Sequence, residues 1–296
     1  MTNLEINLTP TATLLEIDSV AKIPCRTWGM ASESSAAFLL IHGLGGHSGW
    51  FEALARRLKV KQIFVLALDL ASFGRRRQEK YVSIGQWLKD IEIVSTYLHS
   101  LMGEKPLFVL GNSMGGLIAL KACATIKPSG LALLAPAFAG HPKLFPVSYQ
   151  LSGFLKALMA PNKDIVMPYS TDLITKQEQV RTWLDNNGDI RLAVPGKMLL
   201  DLLFLTQSTR MKKISLSCPL FMITAGQDAI VDNQASELIF RQINAPMKKK
   251  INIQKAMHDL TLDLAVDQVA DLLIEWSVSL LQNKDRLKAV SNQRDK

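Results

Sequence analysis

The stretch Leu107–Ala122, LFVLGNSMGGLIALKA, joins two kinds of local structure at one serine. Its first half is continuously apolar, as in a strand buried on both faces of a sheet. Its second half, from Leu117 on, reads as a helix. Between them Gly111-Asn112-Ser113-Met114-Gly115 fits G-x-S-x-G. So tight a turn forces the serine into a strained backbone conformation, which small neighbours make tolerable. The hydroxyl then stands at the C-terminal edge of the sheet, and the helix that follows aims unbonded N–H groups and its positive end at the same spot. Alone the pattern is weak; between a buried strand and a helix it is the nucleophile elbow.

Working outward, the same alternation recurs. AAFLLIHG (36–43) is a short apolar strand ending in a His-Gly turn, and GWFEALARRLKV carries apolar residues at helical spacing. QIFVLALDL is a buried strand, SIGQWLKDIEIVSTYLHSLM an amphipathic helix, and SGLALLAP another strand. The segment before residue 36 reads as a β-hairpin or an irregular entry. Strands alternating with helices over short connections predict an α/β fold with a mostly parallel central sheet flanked by helices.

The pattern changes at Ala137. From 137 to 208 the chain has Pro142, Pro146, Pro161, Pro168 and Pro195 and helical pieces without strands, among them VSYQLSGFLKALM, KQEQVRTWLDN and GKMLLDLLFL. Alternation returns with CPLFMITAGQD, DNQASELIFRQI, KKKINIQKA and DQVADLLIEWSVSLLQ. The expected organisation is a core of residues 1–136 and 209–296 interrupted by a helical insertion, 137–208.

A serine hydroxyl needs a base, and the base an orienting acid. After an elbow, acid and base follow in that order, each beyond a late strand. Asp228 leaves one such strand and His258 the next. Asp232 competes for the acid role a short turn later. Asp259 follows His258 directly and is expected to cap the next helix. His99 and His141 fall in a helix and in the insertion, and His42 and His47 precede the serine. An oxyanion would need two backbone donors, worth about 3–4 kcal/mol each. The N–H of Met114 and that of Leu44, in the loop HGLGGHSGW, are placed to supply them.

The 296 residues are 48% hydrophobic and 20% charged, ordinary for a soluble globular chain. MTNLEINLTPTATLLEID lacks the pattern of a secretory leader, and the apolar runs are too short to span a bilayer. Cys25, Cys123 and Cys218 form no CxxC pair, which suits small buried hydrophobes in a reducing, cytoplasmic setting. The net charge of +8 gathers partly in Arg75–Arg77, Lys212–Lys213 and Lys248–Lys250. These read either as solvated loops or as a weak peripheral attraction to anionic membrane. No nucleic-acid motif accompanies them.

Taken together, these residues resemble the α/β-hydrolase superfamily, and within it the monoacylglycerol lipase and lysophospholipase-like branch of serine hydrolases. HGLGGHSGWFEALARRL, LDLASFG, GNSMGGLIAL, TDLITKQEQVRTWLDN, AGQDAIVD and AMHDL carry the likeness, which runs from about CRTWG to IEWSVSLL. The resemblance implies an α/β-hydrolase fold with an inserted cap, Ser113 as nucleophile, Asp228 as orienting acid, His258 as general base, and Leu44 and Met114 as oxyanion donors. It implies hydrolysis of lipid-like carboxylic esters by acyl transfer, with no metal or organic cofactor. The chain departs from the branch at Asn112, where a histidine is common, at Gly46, and in SFGRRRQEK. Leu151, Phe154, Leu158, Met159 and Leu203 of the insertion are the expected wall of an acyl pocket. A short-chain carboxylesterase or thioesterase shares all of these features, and a non-catalytic protein on the same fold is the alternative from another class.

Overall fold

The computed structural model describes residues 11–17, 22–186 and 190–294, so the first ten residues, read above for a leader, lie outside it. Eight strands form one sheet: β1 (Thr13–Ile17), β2 (Ile23–Trp28), β3 (Ala36–Ile41), β4 (Ile63–Leu68), β5 (Leu107–Asn112), β6 (Gly130–Leu134), β9 (Leu220–Ala225) and β10 (Lys248–Ile253). Their order is β1-β2-β4-β3-β5-β6-β9-β10. β2 pairs antiparallel with β1 on one side and with β4 on the other, and the remaining pairings of this sheet are parallel.

Alternation along the strands divides the core. Leu39, Ile41, Val109, Leu133 and Met222 face one side, with α2 (Ile84–Met102) and α3 (Met114–Ile126). Phe38, Leu40, Leu110, Leu134 and Ile223 face the other, with α1 (Glu52–Val60) and α9 (Val266–Arg294). Side chains on successive strand residues point to opposite faces, so runs such as AAFLLI must be apolar throughout to serve two cores. Ser83 starts α2 by accepting from the Gln86 N–H. The three cysteines are free and buried.

Between β6 and β9 lie α4 (Val147–Met159), α5 (Thr171–Ile174), α6 (Glu178–Asn186) and α7 (Gly196–Met211). The expectation that this stretch lacks strands is corrected. β7 (Asp164–Val166) and β8 (Ala193–Pro195) pair antiparallel and tie α4 to the start of α7. Both are three residues long, too short to show periodicity. A third apolar cluster joins Ile174, Val180 and Leu184 of this insertion to Trp50, Ile230, Val231 and Leu262 of the sheet's loops. The last helix between strands, α8 (Asn233–Gln242), connects β9 to β10.

Two basic clusters prove to be structural. Arg76 is buried and bonded to Asp90 and Glu79, and Arg75 approaches Glu16. Lys248 donates to the carbonyls of Phe240, Arg241 and Ile243 at the end of α8, while Lys249 and Lys250 pair with Glu275 and Glu237.

The sheet meets α3 at a contact only glycine permits. A Cβ on Gly115 would stand 2.1 Å from the Ile41 carbonyl oxygen, and one on Gly111 would stand 2.2 Å from that of Gly115. Gly115→Ala should lower the unfolding free energy by about 2–3 kcal/mol, seen as a lower urea midpoint, because backbone must move to admit the methyl. An unchanged midpoint would show that the contact is not tight.

Candidate active site

Ser113 follows β5 directly and is the N-cap residue of α3, with φ 53° and ψ −118°, the left-handed strain expected of the elbow. Its N–H donates to the Leu134 carbonyl and its own carbonyl accepts from Gly116 and Ala137, so the turn is bonded on both sides. The hydroxyl lies 2.9 Å from His258 Nε2. His258 Nδ1 lies 2.8 Å from Asp228 Oδ2. With the carboxylate accepting, Nδ1 carries the proton and Nε2 is left to accept from the serine.

Asp228 is buried, and its other oxygen accepts from the N–H groups of Ile230 and Val231 at 2.9 and 2.8 Å. Burial alone would raise its pKa; the nearby His258 charge and these hydrogen bonds outweigh burial and hold the carboxyl below its ordinary range. For His258 burial alone would depress the pKa, but the Asp228 charge and hydrogen bond, with a contribution from the Asp259 charge, carry it above the ordinary imidazole value. Asp232, the rival acid, instead caps α8 by accepting from the Gln234 N–H.

The loop after β3 runs beside the serine. A Cβ placed on Gly43 would stand 3.7 Å from Ser113 Oγ. Leu44 and Met114 both line the cavity that holds Ser113, and no backbone hydrogen bond engages either N–H among the described residues. His42 fixes this loop. One ring nitrogen bonds the Gly43 carbonyl at 2.8 Å and the other accepts from the Leu70 N–H at 3.1 Å. Burial lowers its pKa, so it serves as a neutral cross-link. His47 is buried in the same loop, His99 is exposed, and His141 is half-buried in the insertion.

Asp259 does not cap the following helix, which begins only at Val266. One of its oxygens accepts from the Thr261 N–H and hydroxyl, and the other from Asn112 Nδ2 at 2.8 Å. The residue before Ser113 is thus bonded to the residue after His258. Nothing in the spacing announces this bond; only the departure at Asn112 marked the position.

Ser113 opens on a cavity of about 230 Å³ lined mainly by apolar groups, among them Met167, Tyr169, Leu199, Leu202, Leu203 and Ile230. A second groove of about 360 Å³ adjoins it and shares Phe145, Gln150, Met167, Leu199 and Leu203. Of the expected wall, Leu203 lines both and Phe154 lines the second. Leu151, Leu158 and Met159 line neither: they are 58%, 59% and 77% exposed on the outer face of α4. Helical spacing marks an apolar stripe but not which side of an inserted helix meets the core.

A family described as serine aminopeptidase, S33, matches residues 32–265. The chain belongs to this family. Human monoglyceride lipase is 25% identical over 249 residues, covering 81% of this chain and 80% of that protein. An uncharacterised abhydrolase domain-containing protein of Dictyostelium discoideum is 24% identical over 273 residues; these cover 90% of this chain, which spans only 29% of that longer protein. Among solved structures, a soluble variant of monoglyceride lipase from Saccharomyces cerevisiae, in complex with a substrate analogue, superposes with a TM-score of 0.80 at 20% identity. It covers 93% of this chain and 97% of its own. The fold of this S33 member is that of the α/β-hydrolases.

The charge balance at the histidine gives a direct expectation. In a pH titration of the ring proton shifts by NMR, His258 should titrate above an unpaired histidine, and in Asp228→Asn its midpoint should move to lower pH. An unmoved midpoint would remove Asp228 as the group that holds the imidazolium.

Proposed function

We propose that this protein hydrolyses carboxylic esters of single-chain lipids, monoacylglycerols or lysophospholipids, through an acyl-enzyme on Ser113. The chain is a carboxylic ester hydrolase, and the observation that carries the finer reading is the 2.9 Å approach of His258 Nε2 to Ser113 Oγ at the floor of an apolar cavity.

In this reading His258 takes the hydroxyl proton as Oγ attacks the ester carbonyl carbon. Asp228 keeps the ring in the required tautomer and stabilises the imidazolium. The oxyanion is met by the N–H groups of Leu44 and Met114. Collapse breaks the carbon–oxygen bond to the alcohol, which leaves with the proton from His258. A water then gives its proton to His258, attacks the acyl carbon, and releases the fatty acid with Ser113 restored.

Residues 137–208 act as a cap whose inner side binds the acyl chain. The cavity over Ser113 and the groove beside it together reach the size range of small-molecule sites, about 300–1,000 Å³. That extent favours a longer acyl chain over the short-chain esterase reading. The relatives named above as monoglyceride lipases point the same way. Among the described residues no helix is long and apolar enough to cross a membrane. The outer face of α4 instead carries Val147, Leu151, Leu155, Leu158 and Met159, exposed at helical spacing. Such a stripe suits an insertion resting on a lipid surface, from which an amphiphilic substrate is drawn. The exposed Lys212 and Lys213, rather than the two clusters engaged in structure, supply the charge that favours anionic lipid.

Purified protein should turn over glycerol monoesters and lysophospholipids of long acyl length faster than short nitrophenyl esters, and Ser113→Ala should lose about 10⁴-fold or more of that rate. Activity confined to short esters would establish the short-chain alternative, and equal inertness of both proteins would leave a binding role. The double variant Leu151→Asn, Leu158→Asn should sediment with anionic vesicles about tenfold less while hydrolysing a soluble ester within about twofold of the parent. Unchanged sedimentation would remove the lipid surface as the partner of α4.

A further inference from the structure

The insertion meets the loop beside Ser113 backbone to backbone at Gly45, and Arg191 organises that contact. The Arg191 N–H donates to the Gly45 carbonyl at 3.0 Å. Gly45 has φ +80°, and a Cβ there would stand 2.7 Å from the Arg191 carbonyl oxygen, so the two backbones lie directly against each other. Gly45 follows Leu44. The Arg191 guanidinium reaches three further acceptors, two of them in other segments. Its Nε donates to the Ala193 carbonyl at 2.8 Å, one terminal nitrogen to the Ser72 carbonyl at 3.2 Å, and the other to Asp164 at 3.1 Å. Ser72 is buried in the loop after β4, the loop whose Leu70 N–H holds His42. Asp164 and Ala193 belong to β7 and β8.

Arg191 therefore binds the strand pair of the insertion to both loops that shape the space beside Ser113. The planar fork is suited to this, because its donors are fixed relative to one another and lose little freedom on bonding. Its side chain is only 20% exposed, so the bonds to the carbonyls are partly shielded from water.

We propose that Arg191 is a positioning residue for ester hydrolysis: it clamps the insertion onto Gly45 and so keeps the Leu44 N–H aimed at the oxyanion. This rests on the reading of Ser113 as nucleophile and of Leu44 as an oxyanion donor. It makes the insertion part of the catalytic geometry as well as a cover for the acyl chain.

The test compares the full-length protein with Arg191→Ala and Arg191→Lys. The readouts are kcat and KM for a medium-chain nitrophenyl ester, inhibition by an alkyl trifluoromethyl ketone, and binding of the matching unreactive alkyl ether. The ketone adds the Ser113 oxygen to its carbonyl and so needs the oxyanion donors; the ether needs only the pocket. In Arg191→Ala, kcat should fall about tenfold or more with KM within about twofold, and ketone inhibition should weaken by the same factor while ether binding holds. Arg191→Lys keeps the charge and loses the fork, and should show a smaller loss of the same kind; it carries the test if the alanine variant is insoluble. Equal weakening of ketone and ether, or an unchanged kcat, overturns the proposal and leaves Arg191 a merely structural clamp. If the parent protein forms no ketone adduct on Ser113, the nucleophile assignment itself fails, a result seen without any variant.

Discussion

The site depends on the close approach of the first turn of α3 to the end of β3. Gly111 and Gly115 let two backbone segments meet where any side chain would collide with a carbonyl. That approach turns Ser113 to positive φ, lifts its hydroxyl above the sheet edge, and sets the loop at Gly43 within contact of it. The strain at one residue is small beside the two apolar cores that impose it, one on each face of the sheet. Stability comes from those cores, and function from the point at which their packing forces the chain into a shape it would not adopt alone.

Around that point the loops are held by buried polar groups rather than by apolar packing. His42, neutral through burial, joins the loop after β3 to the loop after β4. Asp69, buried, accepts from the Ser48 and Arg75 N–H groups and joins the same two loops from the other side. Asn112 and Asp259 join the elbow to the His258 loop. A buried polar group is expensive unless its bonds are made, so these bonds favour the observed arrangement of the loops. Arg191 extends the same principle to the insertion, with the Ser72 carbonyl of the loop after β4 and the nearby Ala193 carbonyl among its acceptors.

The succession of strands and helices along the chain, the glycine-flanked junction at Ser113 and the positions of Asp228 and His258 beyond late strands were legible because each is written locally. A buried parallel strand is a continuous apolar run, the elbow is a glycine-flanked serine at a strand–helix junction, and acid and base each follow a late strand. What was not legible involves pairs distant in sequence. β7 and β8 are too short to carry a period, and only their pairing defines them. Leu151, Leu158 and Met159 have the spacing of a buried stripe, yet α4 presents that stripe to solvent. The sequence of an insertion encodes an amphipathic helix but not whether its apolar face serves a core, an acyl chain or a membrane. The Arg75–Arg77 run looked like a surface charge cluster, whereas Arg76 is an interior partner of Asp90. Asp259 looked like a helix cap because a helix follows; its partner Asn112 lies 147 positions away.

The central claim is that Ser113, activated by His258, becomes acylated beneath the apolar insertion. It is tested most directly by rapid mixing of the protein with a long-chain nitrophenyl ester, followed by acid quench and peptide mass mapping. The account predicts a burst of nitrophenol close to one equivalent per protein, with the acyl mass on the peptide that contains Ser113. Release of nitrophenol with no burst and no acyl peptide under any quench time, or an acyl group on another residue, would contradict it.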